Sequence, residues 1–229
     1  MPAIQDIKVA VDAVVFGYDA KQLSVLLIKR GVEPFRDSWA LPGGLVMDNE
    51  SLENAVTREL KEETGVQIDY LEQLYTFGKP GRDPRNRVVS VSYFGLVRPN
   101  HFKIKAATDA KEVQWFPVKE LPDLAFDHGT ILNIAKERLK AKLQYQPIGF
   151  DLLNKEFPFS DLENLYTTIL DHKIDRRNFR KKILSFEIVE ETDKIHQKGS
   201  GRPAKLFKFN NKKYNQLLKE GFHFEIKIV

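Results

Sequence analysis

The chain has 229 residues, no cysteine, a formal net charge of +4, and 42% apolar against 30% charged residues. That composition fits a soluble globular protein with room for one full core and a second small one, and it excludes disulfides and thiolate metal sites. No apolar run reaches the roughly 18 residues of a membrane span, and the first residues lack the basic start and apolar stretch of a signal peptide, so a cytoplasmic protein is expected. The positive excess lies in the last third: residues 1–145 balance 20 basic against 20 acidic side chains, whereas residues 146–229 hold 16 against 12.

Residues 9–16 and 23–29 are β-branched and aliphatic and flank a short polar stretch at 17–21, which predicts a hairpin. A polar loop at 30–39 follows, carrying Arg30, Gly31, Pro34, Phe35, Asp37 and Trp39. Residues 50–65 then read as an amphipathic helix, with Leu52, Ala55, Val56 and Leu60 on its apolar side. Glu59 and Glu63 fall on that same side and Glu62 lies beside them, near a helix end whose dipole is already negative. Helix formation alone does not favour this crowd. Hard oxygen ligands from one turn, with a backbone carbonyl at Gly43 in the Pro42-Gly43-Gly44 turn, suit Mg²⁺ or Mn²⁺. Arg58 is placed to hold one carboxylate, with Glu50 as its expected partner, and Gly65 to end the helix as a left-handed cap.

This stretch resembles the Nudix box in full: Gly44, five residues, Glu50, seven residues, then Arg58, Glu59, Leu60, Lys61, Glu62, Glu63, Thr64, Gly65 and Val66. The resemblance implies an α/β fold, an α-β-α sandwich around a mixed sheet. It implies Glu59, Glu62 and Glu63 as metal ligands with Gly43, and these carboxylates with Arg58 as the catalytic set of a diphosphate hydrolase. It also makes the loop ahead of the box a wall of the ligand pocket, with Phe35 as a base-stacking group and Arg30 as a ligand contact. A scaffold that binds ligand after catalysis has faded remains the other reading of the same letters.

Residues 71–77 and 88–97 are expected strands around the loop 78–87, GKPGRDPRNR, whose arginines suit bidentate contact with phosphate. This run is similar to the corresponding loop of ADP-ribose pyrophosphatase-like Nudix proteins, and Arg82 and Arg87 are its candidates for a diphosphate. A further strand at 112–117 brings Glu112 ahead of Trp115; the family resemblance makes Glu112 the first choice for an extra metal ligand or a base, and Asp109 the second. Asp127 reads as the N-cap of a helix running to about residue 143, and His128 as an ordinary residue rather than a metal ligand.

Pro147 and Gly149 mark a boundary, which divides the chain into domains at 1–145 and 146–229. Beyond it, Ser160 and Glu163 form a capping box for one helix, and Asp175 caps a second, RRNFRKKILSF, with Phe179, Ile183 and Phe186 on one face. Arg177, Asn178, Lys181 and Ser185 point the other way. Two further strands, at 187–192 and 204–209, surround a basic, glycine-containing tip. This is the layout of a winged helix-turn-helix, in which Arg177, Asn178 and Lys181 reach base edges. Arg176, Arg180, Lys182, Lys198, Arg202 and Lys205 are the expected phosphate contacts.

A Nudix-like domain followed by a small basic winged helix resembles the Nudix-related transcriptional regulators, whose branches control NAD metabolism and sugar catabolism. The resemblance implies a homodimeric repressor that holds palindromic double-stranded operator DNA until a small effector, ADP-ribose or a sugar, releases it. The complete box argues for a diphosphate effector bound through Mg²⁺ rather than an unphosphorylated sugar. A Mg²⁺-dependent ADP-ribose pyrophosphatase is the alternative, and the second domain is what an enzyme alone would not need.

Overall fold

The structure is a computed structural model of the chain and describes residues 6–19, 21–68, 71–106, 109–196, 203–221 and 224–226. The chain divides into two compact units, Met1–Arg138 and Leu139–Val229.

The first unit is built on a mixed seven-stranded sheet. Its strands are β1 (Lys8–Asp19), β2 (Gln22–Arg30), β3 (Trp39–Ala40), β4 (Gly43–Leu45), β5 (Glu72–Phe77), β6 (Val88–Val97) and β7 (Ala110–Pro117). They run in the order β3-β2-β1-β6-β5, with β4 paired to β1 and β7 to β2. The hairpin read from the sequence is β1 and β2, antiparallel from Phe16↔Val25 to Asp19↔Gln22. Less visible in sequence is the parallel pairing of β1 with β6, which runs from Lys8↔Val88 to Gly17↔Val97 and makes β1 a central strand.

Side chains alternate across β1. Val11, Ala13 and Val15 pack with Ala55, Val56 and Leu60 of helix α1 (Leu52–Thr64), the box helix. Ser51 caps that helix through Oγ, which accepts from the Asn54 N–H, and Gly65 ends it at φ +72 with its N–H donating to the Lys61 carbonyl. Asp12, one residue off the α1 face, meets His128 at the start of helix α2 (His128–Tyr145). Gly43 and Gly44 form the first residues of β4 rather than an open turn, because the ladder Val11↔Gly44 and Asp12↔Gly43 draws them onto β1.

The second unit holds the end of α2, β8 (Phe157–Pro158), α3 (Phe159–Leu170), α4 (Arg176–Ser185), β9 (Val189–His196), β10 (Ala204–Phe209) and α5 (Asn211–Lys219). Its small sheet has the order β8-β10-β9. The unit begins inside α2, seven residues ahead of the break read at residue 145, because Leu139 and Leu143 are fully buried and Gln144 accepts a hydrogen bond from Ile226. Phe159, Leu162, Leu165, Tyr166 and Ile169 of α3 are buried, as are Phe179 and Ile183 of α4, Ile188, and Phe207 of β10.

Two expectations are corrected here. Ser160 does not cap α3: the helix starts at Phe159 after Pro158 without a side-chain cap, and Glu163 is buried and paired with Arg176 instead. β9 starts at Val189 rather than at residue 187, because the Phe186 and Glu187 N–H groups close the last turn of α4 and Glu187 takes φ +57.

Asp175 caps α4 as the sequence indicated, accepting from the backbone of Arg177 and Asn178 and from the Asn178 side chain. Replacing such a cap costs about 1 kcal/mol. Asp175→Ala is expected to lower the urea midpoint and reduce helicity measured by circular dichroism, and an unchanged midpoint would deny the cap its role.

Candidate functional site

In the first unit, the site forms where α1, β4 and the loops after β2 and β5 meet. Arg58 of α1 makes five hydrogen bonds: to Glu50 through Nε (3.0 Å) and Nη2 (2.6 Å), to the Leu45 carbonyl (3.2 Å), to Glu59 (2.8 Å) and to Glu62 (3.3 Å). The guanidinium beside Glu50, together with the Met47 N–H, holds that carboxyl down to about 2. Glu59 goes the other way: burial raises its carboxyl despite the contact with Arg58.

Glu63 is the most enclosed of the box carboxylates. Its Oε2 accepts from the Gly43 N–H at 2.8 Å, and the residue is only 6% exposed. Burial pushes its carboxyl up to about 8; the Gly43 hydrogen bond and Arg30 pull against this, while the charges of Glu59 and Asp109 add to it.

The box glycines are required by close approach. A Cβ on Gly43 would stand 2.2 Å from the Val11 carbonyl oxygen, and one on Gly44 would stand 2.2 Å from the Glu59 carboxylate. The first obstacle is backbone; the second is a side chain that Arg58 holds in place.

The donor set suits a hard divalent cation: Glu63 is buried and Glu59 half-buried, both with raised carboxyls, beside the more open Glu62. Among the described residues no three His, Asp or Glu side chains are gathered into a ready cage, since Glu59 and Glu62 bond to Arg58 while Glu63 bonds to Gly43. Glu62 is the most open of the three, with 46% of its side chain exposed.

Glu112 and Asp109, the first and second choices for an extra ligand or base, lie in different surroundings. Glu112 faces Lys29 across the β2–β7 ladder, bonded at 2.8 Å and half exposed. Asp109 is the residue whose charge reaches Glu63 and Arg30, and its carbonyl accepts from the Gly31 N–H at 2.7 Å.

The arginines of the loop after β5 part ways. Arg82 is buried, donating to both oxygens of Asp127 at 3.0 and 2.6 Å and lying 3.4 Å from Asp12. Burial works against its charge, but Asp127 and Asp12 more than offset this and raise its pKa. Arg82 is therefore held by buried carboxylates, and Asp127, just ahead of α2, accepts from it through both oxygens. Arg87 immediately precedes β6 and donates to the Val88 carbonyl at 3.4 Å. Arg85 is half exposed, tied to Asp83, and lies over the ring of Phe126 with Arg30. Phe35, 41% exposed, meets Phe126 edge to face at 4.7 Å.

Arg85 and Phe126 carry no local sequence signal, because they meet Arg30 only through the fold. His128 has a structural place in the core. It is buried, its Nδ1 accepts from the Leu41 N–H at 2.9 Å, and its Nε2 faces Asp12 at 3.4 Å. Burial holds its pKa below the usual value despite Asp12. The neutral ring thus fixes the strand that leads into Gly43.

The second unit presents α4. Arg177, Asn178 and Lys181 are exposed, and among the described residues the side chains of Arg177 and Lys181 carry no ion-pair or ring partner. Asn178 donates its amide to Asp175 at 2.7 Å. Arg180 lies over the rings of Phe159 and Phe207 at 4.5 and 5.2 Å, Lys182 over Phe186 at 5.1 Å, and Arg176 stands 3.7 Å from Glu163. Lys205 pairs with Glu191 on the neighbouring strand. Lys198 and Arg202 lie outside the described residues.

Comparison with known proteins matches the NUDIX domain to residues 6–133 and the NrtR DNA-binding winged helix domain to residues 149–209. The chain belongs to the Nudix family, in the group that joins a Nudix domain to an NrtR-type winged helix. It is 35% identical over 209 residues to the ADPR responsive transcriptional repressor NtrR of Acinetobacter baylyi, covering 90% of this chain and 83% of that one. Shewanella oneidensis NrtR complexed with a 27mer DNA superposes with a TM-score of 0.76 at 31% identity, covering 96% and 99% of the two chains. The NUDIX domain of S. oneidensis NrtR complexed with ADP ribose gives 0.55 at 39% identity, over 59% of this chain and 90% of that one. Nudix hydrolases as a family typically depend on a divalent metal.

The raised Glu63 carboxyl sets a pH dependence. Between the ordinary carboxylate range and about pH 8 only the folded state keeps this proton, so metal-free stability falls as pH rises through that window and levels off above it. Glu63→Gln is expected to flatten that fall and, in EDTA at pH 8, to unfold at higher urea than the parent by more than about 1 kcal/mol. A variant as pH-sensitive as the parent would place the charge penalty elsewhere.

Proposed function

We propose that this protein is an ADP-ribose-responsive transcriptional repressor that grips a palindromic operator as a homodimer and releases it when its Nudix domain fills. The observation that carries the reading is the joining, in one chain, of a complete carboxylate box to a capped basic helix. That helix presents Arg177 and Lys181 outward while packing Phe179 and Ile183 inward. An enzyme acting alone has no use for that helix. The similarity to an ADPR responsive repressor over 90% of the chain supports the same reading. A cytoplasmic location follows from work on DNA.

Arg177 and Lys181 read bases in the major groove, and Asn178 stays with its cap. Phosphate contacts come from Arg176 and Lys182 at the helix, from Lys205, and from Lys198 and Arg202 in the wing. These contacts supply the salt-dependent part of the affinity. Arg180 instead holds the recognition helix on its hydrophobic base, through the rings of Phe159 and Phe207.

In the Nudix domain, Glu59, Glu62 and Glu63, with the backbone at Gly43, would hold Mg²⁺ or Mn²⁺. When bound, the ion supplies positive charge to a diphosphate and acidifies a coordinated water. Arg58 keeps Glu59 and Glu62 on the ligand side of α1, and the Gly43 N–H fixes Glu63. Arg30 and Phe35 bound the ligand from the loop after β2. Because the box is complete, slow hydrolysis of ADP-ribose is the second reading, with Glu112 or Asp109 as its base.

The test uses a DNA site selected from a random pool by the parent protein and read by fluorescence anisotropy. Arg177→Ala and Lys181→Ala are expected to weaken binding at least tenfold, each losing a base contact of about 1–3 kcal/mol, without lowering the thermal midpoint. Arg180→Ala is expected to lower the midpoint. Undiminished binding by both of the first two variants would sink the recognition-helix assignment.

A further inference from the structure

The winged-helix match ends at residue 209, and the chain beyond it returns to the foot of the recognition helix. Asn210 donates its N–H to the Ile188 carbonyl and caps α5 by accepting from the Lys213 N–H. Lys213 pairs at 3.0 Å with Glu187, which follows α4 at a left-handed φ of +57. α5 itself buries none of its residues. The buried side chains come after it: Phe224 is 2% exposed and Ile226 6%, with Glu225 exposed between them. The Phe224 ring meets that of Phe186, the residue that closes α4, with 5.1 Å between centres. The Ile226 N–H donates at 2.9 Å to the Gln144 carbonyl in the last turn of α2.

This short segment therefore holds two helix ends at once. A helix leaves its last carbonyls without partners inside the helix, and Ile226 satisfies one of them on α2. On α4, Asp175 caps the start, Phe179 and Ile183 seat the middle, and Phe224 meets the end. α2 runs unbroken from His128 to Tyr145, about 27 Å for its 18 residues. Its first residue, His128, accepts from the Leu41 N–H at 2.9 Å, two residues ahead of the box glycine Gly43. One helix thus supports the box strand at its start and anchors the C-terminal segment at its finish. A buried segment of this kind shifts with the helices it joins, because close-packed interiors switch between arrangements rather than deform continuously.

We infer that residues 224–226 are a strap that sets the pose of the recognition helix against the end of α2, and that the effect of ligand on DNA binding passes through it. Phe224 and Ile226 are its positioning residues, and they act through α4 rather than on the DNA. The inference rests on the ligand-responsive repressor reading for what is passed on. A side chain that served only the core would change stability when removed and leave the response to ligand as it was. A strap would change the response while the ligand site kept its affinity.

The experiment is calorimetric titration of ADP-ribose in Mg²⁺ into the full chain, free and saturated with its selected DNA site, for the parent, Phe224→Ala, Phe224→Leu, Ile226→Pro and Leu218→Ala. The ratio of the two dissociation constants reads the coupling, and the parent is expected to show at least about fivefold. Phe224→Ala should bind ADP-ribose as the parent does when free of DNA, and lose most of that ratio. Ile226→Pro, which removes the N–H bonded to Gln144 and keeps an apolar side chain, should do the same. Phe224→Leu should recover part of the ratio. Leu218→Ala, at an exposed position on α5, should leave it unchanged. Preference for the selected site over a scrambled duplex, read by fluorescence anisotropy, should fall in Phe224→Ala and Ile226→Pro. Circular dichroism checks that each variant is folded; should Phe224→Ala not fold, Phe224→Leu and Ile226→Pro carry the test. A parent-like ratio in the folded strap variants overturns the strap, as does an equal loss in Leu218→Ala. Should the parent bind ADP-ribose equally with and without DNA, the ligand-release reading falls, and site preference decides the strap: preference lost in Ile226→Pro keeps it as the positioner of α4, and parent-like preference overturns it.

Discussion

The guanidinium of Arg58 is the interaction on which the ligand-binding half of this protein depends. One helix turn carrying Glu59, Glu62 and Glu63 at a negative helix end would repel itself apart or take up protons. Arg58 ties Glu59 and Glu62 together, locks to Glu50 with two bonds, and binds the Leu45 carbonyl at the end of β4. It thereby joins α1, the segment entering it and the glycine strand into one rigid frame. Glu63 completes that frame from the other side through the Gly43 N–H, at the cost of a carboxyl raised to about 8. Stability alone does not favour burying that carboxylate.

Beneath the frame lies a second polar layer with a different purpose. Asp12 accepts from Ser90 at 2.5 Å and faces Arg82 and His128, while Arg82 closes on Asp127. These groups are buried, so they fix geometry and leave little for a ligand. Above them, Arg30, Arg85, Phe35 and Phe126 remain open or half open. The division separates arginines that build the site from arginines that can act in it. The same distinction holds in the winged helix, where Arg180 is fastened over two rings while Arg177 and Lys181 of the same helix carry no partner among the described residues.

What could be read from the sequence follows from how local the physics is. The box helix, its Gly65 end, the Arg58–Glu50 pair, the Asp175 cap and the apolar face of α4 depend on residues within about two turns of each other, and spacing alone reveals them. The parallel pairing of β1 with β6 joins segments some eighty residues apart, and no periodicity encodes it. That pairing brings Asp12 beside Ser90, and the loop preceding β6 brings Arg82 to Asp12; the sequence therefore offered Arg82 as a diphosphate contact where the fold engages it with Asp12 and Asp127. Phe126 was missed for a similar reason, since it gains meaning only when Arg30 and Arg85 arrive from other parts of the chain. Asp127 has the position of a cap, and the fold also gives its carboxylate a partner 45 residues away in Arg82, which no local spacing announces.

If ligand and operator compete for two states of one molecule, each must weaken the other by the same factor. Calorimetric titration of ADP-ribose in Mg²⁺ into the free protein, and into the protein saturated with its selected DNA site, measures that factor directly. The account predicts at least about fivefold weaker binding of ADP-ribose to the DNA complex. Equal affinity in the two titrations would contradict it, leaving a Nudix domain and a winged helix that share a chain without controlling one another.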